Sequence, residues 1–102
     1  MTIHLKEGVK CAGMRPELML GIIVALSVYQ ELGYPMTITS IVDGKHSRTS
    51  LHYAGCAADL RTRHMTEAHK AQAVSMIAAR LTEDFDVILE KTHIHMEFQP
   101  KG

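Results

Sequence analysis

Near its end the chain reads Phe85-Asp86-Val87-Ile88-Leu89, then Glu90-Lys91, then Thr92-His93-Ile94-His95-Met96-Glu97-Phe98. Both longer runs have the composition of β-strands, and the second alternates polar and apolar side chains, as a strand with one buried face does. The two residues between the runs suit a tight turn. The sequence therefore predicts a terminal antiparallel hairpin, and the rest of the fold is expected to form around it.

Upstream of the hairpin, local signals predict one long helix followed by a strand. Pro16 suits a first helical position, and apolar side chains recur at helical spacing until about Leu32, where Gly33 ends the helix. After a Tyr-Pro break, the alternating run from Met36 to Val42 predicts a strand. The apolar part of the helix is too short for the roughly 20 residues that span a bilayer, so no membrane insertion is predicted.

The middle of the chain is predicted to contain a loop, a short strand and a second helix. Residues 45–62 are rich in polar and small side chains and read as a loop that runs into a strand. Thr66 is a suitable N-cap for the second helix. We expect this helix to cover the sheet with one face, formed by Ala71, Val74, Ala78 and Leu81.

These elements predict an α+β fold in which a small antiparallel sheet is flanked by helices. A length of 102 residues fits a single domain over 1–102, with its core within about 16–98. The first ten and last three residues look dispensable for that core. Cys11 and Cys56 lack metal-site spacing and are interpreted as free thiols.

The net charge gives no indication of a macromolecular partner. Eleven basic and eleven acidic side chains balance, so no long-range field favours nucleic acid or anionic lipid. There is no clear secretion signal, which predicts synthesis in the cytoplasm. Any functional prediction must therefore come from particular side chains.

Two segments concentrate the chemically useful groups. In Ser50-Leu51-His52-Tyr53-Ala54-Gly55-Cys56-Ala57-Ala58-Asp59-Leu60, an imidazole and a carboxylate flank a turn of small residues. In the hairpin, His93 and His95 project from one face because strand side chains alternate. Imidazole and carboxylate groups are good zinc ligands, and Glu90 lies near enough to act as a base. The pattern predicts a zinc-dependent hydrolase.

The same residues carry a resemblance. Ser50-x-His52-x-x-Gly55-x-Ala57-x-Asp59 and Glu90-x-x-His93-x-His95 resemble the two signatures of the D-Ala-D-Ala metallopeptidases. The chain from about Pro16 to Phe98 also resembles the amino-terminal signalling domain of hedgehog proteins, which has the same architecture.

The resemblance implies one Zn²⁺ per chain, bound by His52, Asp59 and His95. It makes Glu90 the general base and places His93 beside the metal, where it orients water or stabilises an oxyanion. In one branch of the family the histidine at the position of His93 is itself the ligand, so that alternative stays open. We favour His95, because the resemblance to the hedgehog domain is closest at His93-Ile94-His95 and because Glu97 follows on the same strand face and can support it.

Three residues of the polar loop are candidates for substrate binding. His46 is expected to line the pocket by resemblance. Arg48 can bind a substrate carboxylate through its planar fork, and Ser50 can hydrogen-bond a ligand or the loop backbone.

The resemblance implies a peptidase that hydrolyses peptidoglycan peptides, either as a D-Ala-D-Ala carboxypeptidase or as an endopeptidase of stems or cross-links. A phage lysis or virion-associated enzyme that acts on the cell wall is the favoured setting. The alternative is a zinc-containing binding or structural domain of the hedgehog kind, without catalysis. A metal-free domain with a histidine-rich surface is a third possibility.

Overall fold

The computed structural model describes residues 3–10, 14–42 and 57–99 and shows a mixed α+β fold. Its elements, in chain order, are β1 (Ile3–Leu5), α1 (Pro16–Leu32), β2 (Met36–Val42), β3 (Ala57–Arg61), α2 (Glu67–Arg80), β4 (Phe85–Leu89) and β5 (His93–Phe98). The predicted α+β class is confirmed. Among the described residues, no helix is long and apolar enough to cross a membrane.

Helix α1 begins and ends where the sequence predicts. Pro16 occupies the start of the helix, where a missing N–H costs no hydrogen bond. At the other end Gly33 has φ 85°, a left-handed conformation that glycine adopts without a steric penalty. Its N–H donates to the carbonyl of Gln30 at 3.1 Å, and the next N–H, of Tyr34, donates to that of Tyr29 at 2.9 Å. These bonds satisfy carbonyls of the last helical turn.

The strands form one five-stranded sheet in the order β1-β2-β3-β5-β4. β2, β3, β5 and β4 pair antiparallel, including the predicted β4–β5 hairpin, whereas β1 pairs parallel to β2. Within the first ten residues, which were expected to be dispensable for the core, Ile3–Leu5 forms an edge strand that the sequence did not predict. Three residues are too few to show the alternation that identifies a strand in a sequence.

The core lies on one face of the sheet. Leu60, Ile94 and Met96 are fully buried there, in one cluster with residues of α1 and α2. Gly21 of α1 faces β4 and β5 so closely that an added Cβ would lie 2.7 Å from Phe85 Cε2. The absence of a side chain at Gly21 therefore permits the close approach of helix and sheet.

Helix α2 is rotated relative to the predicted orientation. Thr66 caps it as expected, with its Oγ1 accepting a hydrogen bond from His69 N at 3.1 Å. The buried residues are Ala73 and Ile77, whereas two members of the predicted face, Ala71 and Ala78, are exposed. The remaining two, Val74 and Leu81, are partly buried. Alanine contributes little apolar surface, so the larger Ile77 decides which side of the helix is buried.

Candidate functional site

The predicted site residues of the sheet lie on the face opposite the core. β3 and β5 pair with Asp59 opposite His95 and Arg61 opposite His93. The residues between them in each strand, such as Leu60 and Ile94, are buried among the helices. Because strand side chains alternate, both histidines and Asp59 project from the other face. The prediction that His93 and His95 share one face is confirmed.

Asp59 lies between the two histidines. Its Oδ1 accepts a hydrogen bond from His95 Nδ1 at 2.9 Å and lies 3.5 Å from His93 Nε2. The side chains of Asp59 and His95 are only 19% and 17% exposed. Carboxylate and imidazole groups are the types of side chain that bind zinc in proteins.

His95 is held from both sides by carboxylates. Its Nε2 donates to Glu97 Oε1 at 3.0 Å, and Glu97 Oε2 in turn accepts a hydrogen bond from Gln99 Nε2. The hydrogen bond to Asp59 raises the pKa of His95 to about 9, with Glu97 adding to the effect and burial opposing it. The contact expected between His95 and Glu97 is therefore present, and in the metal-free protein it stabilises the imidazolium.

His93 has a different environment. Its Nδ1 lies 3.1 Å from Thr92 Oγ1, a neighbour in the chain, while its Nε2 points toward Asp59. The 3.5 Å separation from Asp59 is longer than a good hydrogen bond. His93 is thus less tightly held by its surroundings than His95.

Glu90 lies at the hairpin turn, next to His93. Its N–H donates to the carbonyl of His93 at 2.8 Å, which continues the β4–β5 pairing by one residue beyond Leu89. Cross-strand partners point to the same side of a sheet, so Glu90 belongs to the face that carries His93 and His95. Its side chain is exposed.

The donors around Asp59 suit zinc in type and spacing, although they do not form a complete site alone. Two ligands of a tetrahedral zinc ion lie about 3.3 Å apart, since each is about 2.0–2.2 Å from the metal. Asp59 Oδ1 and His95 Nδ1, at 2.9 Å, need only a few tenths of an ångström of movement to accept an ion between them. Within residues 3–10, 14–42 and 57–99, no three histidine, cysteine, aspartate or glutamate side chains are grouped so as to hold a metal. A further ligand is required.

Four of the predicted residues lie outside the described part of the chain: His46, Arg48, Ser50 and the proposed ligand His52. Cys11 and Cys56 lie outside it as well. The roles assigned to these residues stay predictions. Asp59, which ends the same sequence motif, does lie at the site.

The sequence did not identify Arg61, Thr92 and Gln99, which contact or flank the site residues. Arg61 follows Asp59 by two positions in β3, and Gln99 follows Glu97 by two just beyond β5. The period of two that identified His93 and His95 applies equally to Arg61. The signal was therefore available for Arg61 once β3 was recognised.

A second group of histidines lies elsewhere in the fold. The Tyr34 hydroxyl shares a 2.5 Å hydrogen bond with His69 Nδ1, and the His64 ring packs edge-on against Tyr34 with centroids 5.5 Å apart. His64 Nε2 donates to the carbonyl of Pro35 at 3.2 Å. We call these three side chains, Tyr34, His64 and His69, the tyrosine cluster.

Comparisons of this chain with protein-family models, with curated proteins and with solved structures found no match.

Proposed function

We propose that this chain is a zinc-dependent peptidase that hydrolyses peptide bonds of peptidoglycan. The observation that carries the proposal is the chain of contacts from Asp59 through His95 to Glu97, beside His93 and Glu90 on one sheet face. The resemblance of the two sequence motifs to D-Ala-D-Ala metallopeptidases supplies the reaction and the substrate class. Either carboxypeptidase or endopeptidase activity fits the resemblance.

We assign the zinc ligands to Asp59, His95 and, by the resemblance, His52. Two contacts favour His95 over His93 as the hairpin ligand. His95 Nδ1 is nearer to Asp59, at 2.9 Å against 3.5 Å for His93 Nε2. Glu97 also accepts a hydrogen bond from His95 Nε2. A carboxylate on the far nitrogen orients a ligating imidazole and makes its other nitrogen a better donor to the metal.

Bound zinc supplies a Lewis acid that polarises the scissile carbonyl and lowers the pKa of the attacking water. Glu90 accepts the proton of that water and passes it to the leaving amine. Its exposed position at the hairpin turn lets the substrate and water reach it. His93 is the cross-strand partner of Glu90. Its Nε2–H donates a hydrogen bond to the carbonyl oxygen of the substrate as negative charge develops there.

The competing proposal is a zinc-binding domain without catalysis. The observation that favours it is the closed network around His95, in which both ring nitrogens are already engaged by carboxylates. Such a network can serve a structural site as well as a catalytic one. The two proposals differ in what they expect of Glu90.

The deciding experiment measures zinc content and hydrolysis of peptidoglycan stem peptides for the wild-type protein, Glu90→Gln and the control Glu83→Gln. Glu83 is an exposed glutamate in the turn before β4, away from the site. We expect one zinc per chain in all three proteins. Loss of the base in Glu90→Gln should lower kcat by about 10²- to 10⁴-fold, whereas Glu83→Gln should match the wild type.

Bound zinc without hydrolysis in the wild-type protein would favour the binding domain. Hydrolysis that is equally fast in Glu90→Gln would remove the assigned base. A wild-type protein that binds no zinc would contradict both proposals.

A further inference from the structure

Within the described part of the chain, Arg61 is the one arginine or lysine among the cross-strand partners of the candidate site. It ends β3 and lies directly opposite His93, while Glu90, one residue beyond β4, lies opposite His93 on the other side. Its neighbour Leu60 is fully buried in the core, so Arg61 projects from the face that carries Asp59 and the two histidines. An arginine therefore borders the proposed catalytic residues.

The guanidinium of Arg61 has no acidic partner among residues 3–10, 14–42 and 57–99. The nearest carboxylate in its own strand, Asp59, is bonded to His95 instead. Elsewhere in the molecule Arg80 makes the two-pronged contact that arginine favours, with its nitrogens 2.5 and 2.8 Å from the carboxylate of Glu31. The guanidinium of Arg61 has the same pair of parallel N–H groups. The residue is half-buried, and no carboxylate of the described residues binds this guanidinium.

The backbone at Arg61 is held firmly in place. Its carbonyl accepts a hydrogen bond of 2.8 Å from the hydroxyl of Tyr29, a fully buried residue of α1. Pairing with His93 in β5 restrains the other side. A charged group on a rigid element is well suited to fix the position of a ligand.

From this geometry we infer that Arg61 binds the free C-terminal carboxylate of the peptide substrate, so that the protein acts as a carboxypeptidase. The inference rests on the proposed function. Cross-strand neighbours have their Cβ atoms about 4.5–5.5 Å apart, and one extended residue spans about 3.3–3.6 Å. Arg61 and His93 are such neighbours, so a carboxylate bound by Arg61 and a carbonyl held beside His93 can belong to adjacent residues of one peptide.

The inference distinguishes between the two peptidase activities. An endopeptidase that cuts within a continuing main chain gains nothing from a carboxylate site one residue from the scissile bond, because an amide occupies that position. A carboxypeptidase gains affinity for its substrate. It also gains correct placement of the scissile bond, since the bound terminal carboxylate decides which peptide bond lies at the site. Arginine is most selective when its guanidinium binds a carboxylate through two parallel hydrogen bonds in one plane.

The test compares three peptides, two of which share one sequence ending in D-Ala-D-Ala while the third differs from it by one residue. The first has a free C-terminal carboxylate, the second has a C-terminal amide, and the third has the amide together with a glutamate side chain near the end. Dissociation constants are measured by calorimetry in the zinc-loaded Glu90→Gln background, where cleavage is slow. Rates of hydrolysis are measured in parallel with the same Arg61 and Arg63 variants in a protein that keeps Glu90.

We expect Arg61→Gln to weaken binding of the free-acid peptide about 10- to 100-fold, the range of charge-assisted hydrogen bonds. Binding of the two amidated peptides should be unchanged. Arg61→Lys keeps the charge without the fork and should recover only part of the affinity. Arg63→Gln is the matched control, because it removes an exposed arginine just beyond β3 and should behave as the wild type.

Two outcomes overturn the inference. In one, Arg61→Gln and Arg61→Lys keep the full preference for the free acid while their thermal unfolding matches the wild type. In the other, the Arg61-dependent preference follows the glutamate side chain instead of the terminal carboxylate. Hydrolysis that persists in either case retains the peptidase and removes only this role of Arg61. An Arg61-dependent preference for the free acid without hydrolysis of any peptide retains the carboxylate site and removes the peptidase.

Discussion

Two histidine groups in the described part of the chain have sharply different surroundings. On the sheet face opposite the core, His95 lies between the carboxylates of Asp59 and Glu97. In the tyrosine cluster, His69 bonds a phenol and His64 bonds a backbone carbonyl. Carboxylate partners favour binding of a cation or a proton by an imidazole, whereas neutral partners fix the ring as part of the packing. Residue type alone does not distinguish the two groups, but their partners do.

The largest expected difference between the two groups is in zinc binding. His95→Gln removes an assigned ligand and should abolish stoichiometric zinc, whereas His69→Gln should leave one zinc per chain. Metal analysis after dialysis measures both. The comparison fails if His69→Gln loses the metal and His95→Gln keeps it.

A smaller effect is expected from the carboxylate behind His95. Glu97→Gln keeps a hydrogen-bond acceptor for His95 Nε2 but loses the charge, and should lower zinc affinity about 10- to 100-fold. Competition with a chromogenic chelator gives the affinity. Glu67→Gln, which changes an exposed glutamate at the start of α2, is the control and should have no effect. Equal affinities in the two variants would show that Glu97 does not support the metal.

The metal-free protein should show a pH dependence that originates at His95. Its folded pKa of about 9 lies above the value of about 6.5 expected in the unfolded chain. The stabilisation is therefore complete below pH 6.5 and is lost as the pH rises through 9.

Chemical unfolding of chelator-treated protein between pH 6 and 10 measures this dependence. Subtracting the profile of His95→Gln isolates the contribution of His95, because Asp59 and Glu97 then face a neutral amide. A difference that stays constant over this range would contradict the contacts with the two carboxylates.

The smallest expected effect is in the tyrosine cluster. Tyr34→Phe removes the hydroxyl that His69 Nδ1 contacts and should lower the free energy of unfolding by about 0.5–1.5 kcal/mol. Zinc content and hydrolysis should be unchanged, because the cluster is not part of the proposed site. A loss of zinc in Tyr34→Phe would mean that the two groups are coupled.

Much of the fold could be predicted because its signals are local. Pro16 favours the start of α1 and Gly33 its end, each at its own position in the chain. The alternation from Met36 to Val42 lies within one strand. The edge strand Ile3–Leu5 could not be predicted, since its only evidence is its pairing with β2. The buried side of α2 was predicted wrongly because alanines mark a helix face weakly.

For the candidate site, the sequence by itself determined the residue types and one geometric fact. His93 and His95 had to share a face, since strand side chains alternate whatever the strand pairs with. The same periodicity places Glu97 on the strand face that carries His95. These relations hold within a single strand and need no knowledge of its neighbours.

Only the tertiary structure decided which partners these side chains meet. The register of β3 against β5 puts Asp59 beside His95 and Arg61 beside His93, and a shift by one residue would turn one set of side chains into the core. Helix packing likewise brings Tyr34 to His69. Pairing between distant segments depends on the burial of the whole apolar face, so no local pattern specifies it.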